Sequence, residues 1–142
     1  MERFFMHEHE HWLRIAKEDL LAAKALMKVE LFSAVTYHCQ QSAEKALKSY
    51  LAFKKQSIVK SHDLTKLVGL CKTFNGEFDK LYDAADSLNP YATRFRYPTE
   101  FEIPSFDDAE QAIKCAQSIM RFVLKALTES DTGQSNIFDY EA

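Results

Sequence analysis

Two long runs in the first half of the chain repeat apolar residues every three or four positions, the period of a helix with one buried face. The first run predicts a helix over about 7–28, with an apolar stripe made of Trp12, Ala16, Leu20, Ala23 and Met27. The second predicts a helix over about 31–55, with a stripe made of Phe32, Val35, Cys39, Ala43, Ala46, Leu47 and Tyr50. Because the link between them is very short, the two helices should pack antiparallel as a hairpin.

The next stretch predicts two shorter helices. One begins at 61–63, where Ser61 or Asp63 can cap free amide groups. Asn75-Gly76 should end it, since both residues tolerate a left-handed backbone. The other covers about 77–88 and stops before Pro90.

A long irregular segment precedes the last predicted helix. Residues 91–106 contain Pro98 and Pro104, and a loop of this length in a small domain is often functional. The last helix is predicted over about 107–127, where Asp107 and Glu110 resemble a capping box. The fold class predicted is all-α, an up-and-down bundle of four to five helices over residues 1–128. Residues 129–142 are predicted to be a polar, disordered tail.

Composition narrows the class of protein further. The formal charge of −3 argues against wrapping duplex nucleic acid by bulk electrostatics. No apolar run approaches the roughly 18 residues that cross a bilayer, so no membrane contact and a cytoplasmic location are expected. Cys39, Cys71 and Cys115 fall on apolar helical positions without a CxxC pattern, which predicts buried, reduced thiols.

The second predicted helix carries more than one apolar face. Opposite its stripe lie Ala34, Tyr37, Gln41, Lys48 and Ala52. Small and aromatic residues there indicate a second packing surface, covered either by another helix or by a symmetry mate. The alternative is a solvated face with one Glu44–Lys48 ion pair at the favourable i,i+4 spacing.

Several motifs occur together in a recognisable order. The segment 40–48 reads Gln-Gln-Ser-Ala-Glu-Lys-Ala-Leu-Lys, residues 62–64 read His-Asp-Leu, and residues 96–98 read Arg-Tyr-Pro. This series resembles the HEPN family (higher eukaryotes and prokaryotes nucleotide-binding domain), and residues 12–21 fit the family's first helix. The resemblance covers about residues 8–127. It marks Gln40, Gln41, Glu44, Asp63 and Pro98 as structural motif positions.

The resemblance implies a dimeric helical bundle that acts with other molecules. Small free-standing prokaryotic members are often paired with a minimal nucleotidyltransferase, and many act in toxin–antitoxin or RNA-processing systems. We therefore expect a homodimer, formed through the second and last helices, with a minimal nucleotidyltransferase as partner protein.

The catalytic form of the family needs a pair of residues that this chain lacks. Many members are metal-independent ribonucleases with an Arg followed four to six residues later by a His. Neither Arg94 nor Arg96 is followed by a histidine, and none occurs after His62. We expect no catalytic residue, no metal and no cofactor. A ribonuclease that uses His62 in a non-standard way, and a purely structural interaction module, remain as alternatives.

A binding function is the leading hypothesis. Lysine and arginine can neutralise or grip phosphate, and an aromatic ring can stack on a base. The candidate nucleotide- or RNA-binding residues are Lys45, Lys48, His62, Arg94, Arg96 and Tyr97. The structural alternative is that the aromatic residues plug one end of the bundle while Arg96 pairs with Glu44.

Overall fold

The computed structural model describes residues 6–57, 59–93 and 103–135, and in these ranges the chain is helical with no strand. The elements are α1 (Glu8–Met27), α2 (Phe32–Phe53), α3 (Leu64–Lys72), α4 (Tyr82–Leu88) and α5 (Phe106–Ser135), with 3-10 segments at Gly76–Leu81 and Asn89–Tyr91. The all-α prediction is therefore confirmed. No helix in the described ranges is both long enough and apolar enough to cross a membrane.

Helices α1 and α2 form the predicted antiparallel hairpin. The chain reverses at Glu30, which has a φ of 58°, and the Leu31 amide then donates to the Leu26 carbonyl at 3.2 Å. Two serines of α2 donate hydrogen bonds to backbone carbonyls of α1. Ser42 donates to the Ala16 carbonyl at 2.8 Å, and Ser49 donates to the His9 carbonyl at 3.1 Å. Their small side chains let the two helices approach closely along this seam.

Helix α2 is the centre of the bundle. It packs against α1, α3 and α5, and none of its residues from Ala34 to Phe53 is exposed. The apolar stripe predicted for α2 contributes Val35, Cys39, Ala43, Ala46 and Leu47 to the core. The opposite face of α2 is partly covered: Ala34 and Lys48 are buried, while Tyr37, Gln41 and Ala52 are half-buried. The homodimer stays a prediction.

A cluster of three aromatic rings packs in the core near the end of α2. The Tyr50 and Phe78 rings lie 4.5 Å apart between centroids, and Phe78 and Phe122 lie 4.8 Å apart. Aromatic pairs of this kind contribute about 0.5–1.5 kcal/mol each beyond the burial of their area. They fix α5 and the 3-10 segment Gly76–Leu81 to α2.

The prediction that Asn75-Gly76 ends the third helix in a left-handed conformation was wrong. Helix α3 ends earlier, at Lys72, and no described glycine has a positive φ. Asn75 is extended, with a φ of −151°, and its side chain accepts a bond from the Glu77 amide at 2.9 Å. It thus begins the next element, which is 3-10 up to Leu81 and α-helical only from Tyr82, rather than one helix over 77–88.

The predicted boundaries of the last helix also need correction. The capping box is formed by Ser105 and Asp108, not by Asp107 and Glu110. The Asp108 amide donates to Ser105 Oγ at 3.1 Å, and the Ser105 amide donates to the Asp108 carboxylate at 2.9 Å. The helix continues to Ser135, past the predicted end at Leu127, so it includes residues 129–135 that were assigned to the tail. Residues 136–142 lie outside the described ranges.

Candidate functional site

Every buried polar side chain in the described ranges belongs to α2, and no such atom lacks a hydrogen-bond partner. Three of these six side chains, Gln40, Glu44 and Lys48, join other residues of α2, a residue of α1 and the segment before α3 in one connected cluster, which we call the polar network. Its members are Asp19, His38, Gln40, Gln41, Glu44, Lys45, Lys48 and His62. The network contains all the predicted site residues of α2.

The first half of the polar network is centred on Glu44. Its carboxylate accepts a bond from Lys48 Nζ at 2.9 Å and lies 3.0 Å from His62 Nδ1. The side chains of Glu44 and Lys48 are only 4% and 7% exposed, so the predicted ion pair exists but is buried rather than solvated. Burial removes the water that would screen the pair. The Lys48 ammonium also lies 5.6 Å from the centroid of the Trp12 ring, which adds a cation–π contact.

The second half of the network repeats this arrangement around Asp19. One carboxylate oxygen of Asp19 accepts from Lys45 Nζ at 3.1 Å, and the other lies 2.8 Å from His38 Nδ1. Each half therefore consists of one carboxylate, one lysine and one histidine bound through Nδ1. We call Glu44, Lys48 and His62 the first triplet, and Asp19, Lys45 and His38 the second triplet.

Two glutamines join the triplets. Lys45 Nζ donates to Gln41 Oε1 at 3.0 Å, and Gln41 Nε2 donates to Gln40 Oε1 at 2.7 Å. Gln40 Nε2 in turn donates to the His62 carbonyl at 3.1 Å and lies 3.4 Å from the Glu44 carboxylate. The Gln-Gln pair of the sequence motif is thus a structural bridge, and Gln40 also ties the residue before α3 to α2.

His62 differs from the other members in its exposure. Its side chain is 68% exposed, whereas that of His38 is 23% exposed. A carboxylate can only accept hydrogen bonds, so Glu44 places a proton on Nδ1 of His62. In the neutral ring, Nε2 is then an acceptor that faces away from the carboxylate.

The position of His62 depends on how α3 begins. Asp63 is the N-cap of α3, as predicted, and its carboxylate accepts from the Thr65 amide at 3.0 Å and the Thr65 hydroxyl at 2.8 Å. Asn89 donates to the same carboxylate at 3.0 Å and accepts from the Leu64 amide at 2.8 Å. These bonds, led by that from the Thr65 side chain, lower the pKa of Asp63. The backbone of His62 is therefore held by the bond from Gln40 to its carbonyl and by the bonds of the neighbouring Asp63.

The geometry changes the interpretation of the predicted phosphate-binding lysines. Lys45 and Lys48 each pair with a carboxylate, so neither brings an uncompensated positive charge to a ligand. Lys45 instead joins α2 to Asp19 of α1, and Lys48 pairs with Glu44 within α2. The predicted residues Arg94, Arg96, Tyr97 and Pro98 lie outside the described ranges, and so does the suggested pairing of Arg96 with Glu44.

Sequence reasoning missed two members of the site. Asp19 and His38 complete the second triplet, yet neither was selected as a candidate. Asp19 is the only acid that faces Lys45 in the network, and the signal available was its place in the segment 12–21 that fits the family's first helix. Its pairing with Lys45 depends on the register between α1 and α2, which the sequence does not specify.

Fold and site together define a small helical-bundle protein organised around ion pairs and hydrogen bonds on its central helix. The sequence profile of the HEPN domain matches residues 9–127. The chain belongs to the HEPN family. No curated protein matches it significantly.

Solved structures with the same fold include TT1696 and ST0689. TT1696 from Thermus thermophilus has a TM-score of 0.71 at 24% identity, over 84% of this chain and 98% of that one. ST0689, described as an archaeal HEPN homologue, has a TM-score of 0.69 at 24% identity, over 85% of this chain and 98% of that one. At this identity the likeness concerns the fold alone.

Proposed function

We propose that this HEPN protein is a non-catalytic binding protein that contacts a nucleotide or RNA through His62 and acts with a minimal nucleotidyltransferase. The observation that carries the ligand part is the first triplet. Its histidine is held through Nδ1 by a buried carboxylate while most of the side chain is open to solvent. A side chain anchored in this way can bind a ligand through Nε2 with little further loss of conformational freedom.

The role of the lysines in this proposal is indirect. Lys48 neutralises the charge that would otherwise remain buried on Glu44, and Lys45 does the same for Asp19. They support the network, and His62 presents the contact. Arg94, Arg96 and Tyr97 stay predicted ligand contacts.

Calorimetry tests the binding proposal directly. The wild type is titrated with ATP, GTP and a short RNA, together with His62→Ala and the control His11→Ala. His11 is an exposed histidine on α1 outside the network, so its variant matches the change in composition. We expect the wild type to bind at least one ligand. The affinity for that ligand should fall at least tenfold in His62→Ala and stay unchanged in His11→Ala. Equal effects of the two variants would contradict the proposal.

The same titration addresses the purely structural alternative. A protein that only mediates assembly would give no heat with any of the three ligands. It would still co-purify with a nucleotidyltransferase when the two are expressed together. Support for the partner part of the proposal comes from family membership, and a nucleotidyltransferase in the neighbouring reading frame would strengthen it.

A ribonuclease is the second candidate function, because the first triplet also resembles an oriented general base. A carboxylate on Nδ1 sets the tautomer and orientation of an imidazole whose Nε2 can take a proton. Cleavage also needs a cation near the charged phosphorane, and both lysines of the network are already paired. Labelled RNA incubated with pure protein decides the matter: robust cleavage that His62→Ala abolishes would replace the binding proposal with the nuclease.

The homodimer is a separate part of the proposal. Exposed apolar side chains occur where α1 turns into α2 and where α5 begins, among them Val29, Leu31 and Phe106. Such residues are compatible with a contact between chains. Light scattering at micromolar concentration tests it, and a monomeric mass would remove the dimer from the proposal.

A further inference from the structure

A second candidate site is lined by residues other than those of the polar network. A cleft of about 730 Å³ opens where α1 begins and α2 ends, and its lining includes His7, His9, Phe53, Lys54 and Lys55. This volume is within the usual range for small-molecule sites, roughly 300–1,000 Å³. None of these residues belongs to the polar network.

Within the part of the chain that the structure describes, the two lysines of this cleft have no acidic partner, unlike those of the network. Neither Lys54 nor Lys55 forms a salt bridge with any carboxylate in the described ranges. The Lys54 ammonium instead lies over two rings, 5.7 Å from the centroid of Tyr50 and 5.6 Å from that of Phe53. Cation–π contacts position a charge without neutralising it.

The one acid that lines the cleft is engaged elsewhere. Glu8 accepts a bond from the Trp12 indole at 3.3 Å, on the neighbouring turn of α1. Two lysines therefore face the single carboxylate that lines the cleft.

The backbone around the cleft also favours an anion. The amides of Glu8 and His9 lie at the positive end of the α1 dipole, about half a charge, while the His7 amide before them already donates to the Glu10 carboxylate at 2.9 Å. The last carbonyls of α2 are occupied, since Lys54, Lys55 and Gln56 donate their amides to Tyr50, Ala52 and Leu51 at 3.0, 2.8 and 3.0 Å. The dipole of α2 places about half a negative charge at this helix end, which is less than the two full positive charges of the lysines.

Aromatic rings complete the wall. The rings of His7 and His9 stack with centroids 5.8 Å apart, and His9 meets the edge of Phe53 at 5.0 Å. These contacts order the two imidazole rings in the lining of the cleft, which also includes the two lysines.

We propose that this cleft binds a small molecule carrying a phosphate or diphosphate group. An anion with several acceptor oxygens matches a cleft whose two ammonium groups lack acidic partners in the described ranges and lie beside the first amides of a helix. The site goes beyond the function proposed above, because it shares no residue with the triplets and each can fail without the other.

Inorganic pyrophosphate is the probe, and calorimetry is the measurement. We compare the wild type with the double variant Lys54→Gln/Lys55→Gln and with the control Lys72→Gln/Lys80→Gln. The control removes the same net charge from lysines that are exposed and already paired with Asp79 and Glu77. We expect the affinity to fall at least tenfold in the first variant and less than twofold in the control.

Amide chemical shifts locate the bound anion. Pyrophosphate should move the amide signals of residues 7–9 and 53–56, and His62→Ala should leave its affinity unchanged. No binding by the wild type at millimolar pyrophosphate, or equal weakening in the two double variants, would overturn the proposal. Binding that His62→Ala abolishes would also overturn it, since the anion would then lie at the first triplet.

Discussion

Gln41 donates a hydrogen bond to Gln40 at 2.7 Å, and this contact between adjacent side chains joins the two triplets into one network. Neighbouring residues on a helix point about 100° apart and normally do not meet. Here Gln40 points toward the start of α3 while Gln41 lies on the side of Lys45 and α1. The pair therefore connects two faces of α2, and through them α1 and α3.

The buried ion pair of α2 should show strong coupling in a double-mutant cycle. Lys48→Met leaves the Glu44 charge buried without its cation, which we expect to lower the free energy of unfolding by about 3–5 kcal/mol. Lys48→Met combined with Glu44→Leu should recover most of this loss, since apolar side chains of similar volume can replace a buried pair. Urea denaturation followed by circular dichroism measures both.

An exposed pair on α1 serves as the control for that cycle. Arg14 and Glu18 have the same i,i+4 spacing but are 53% and 66% exposed. Arg14→Met should cost less than about 1 kcal/mol, because water screens an exposed pair. If the costs of Lys48→Met and Glu44→Leu simply add, the two groups do not stabilise the fold as a pair.

The turn between α1 and α2 offers a stabilising substitution. Glu30 has a φ of 58°, a left-handed conformation that costs a residue with a Cβ about 1–2 kcal/mol. Glu30→Gly should raise the free energy of unfolding by about 0.5–1 kcal/mol, after the entropy that glycine loses on folding. Thermal unfolding measures the gain. Glu30→Ala keeps the strained Cβ, and an equal gain there would place the effect in the lost charge instead.

The N-cap of α3 should make stability depend on acidic pH. The Thr65 side chain and Asn89 lower the pKa of Asp63 in the folded state. The contribution of this carboxylate is therefore complete above its unfolded pKa, about 3.9, and is lost as the pH falls through the lower folded value. Asp63→Asn keeps a good capping side chain without the charge. The stability difference between the two proteins should shrink as the pH falls through the unfolded pKa and then through the lower pKa of the folded state, and a constant difference would contradict the assignment.

The buried thiols should be inert in the folded protein. Burial raises the pKa of Cys39 to about 12, with a smaller effect from Cys115, and raises that of Cys71 to about 12. Since the thiolate is the reactive form, a disulfide reagent at pH 8 should label these two cysteines only as fast as the protein unfolds. Mass spectrometry of labelled peptides checks this, and rapid labelling of either residue under native conditions would contradict it.

Part of the fold could be read from periodicity. Helices α1 and α2 are long enough for their apolar stripes to define them, and their short link fixed the hairpin. The α3–α4 region was harder, because Asn75 and Gly76 favour a helix stop in general while the chain uses Asn75 to cap the next element. Ser105 was overlooked as the cap of α5 because Asp107 and Glu110 offered a pattern of the same kind nearby.

The sequence predicted most residues of the candidate site but not which acid neutralises which lysine. The spacing of Glu44 and Lys48 predicts their ion pair, yet spacing does not reveal that α1 and α3 bury it. Which acid neutralises Lys45 depends on how α1 slides along α2, and this register places Asp19 within 3.1 Å of its ammonium. The sequence therefore predicted that Lys45 and Lys48 bind phosphate, whereas in the folded protein each lysine pairs with a carboxylate.

The lack of an exposed side on α2 has a consequence for how the chain tolerates substitution. An ordinary surface helix alternates between permissive and sensitive positions with a period of 3.6 residues. Helix α2 has no exposed residue from Ala34 to Phe53, so it has no permissive side. In a saturation mutagenesis library, substitutions should therefore be poorly tolerated at every position from Ala34 to Phe53 of α2. Tolerance along α1 and α5 should instead rise and fall with the period of 3.6 residues.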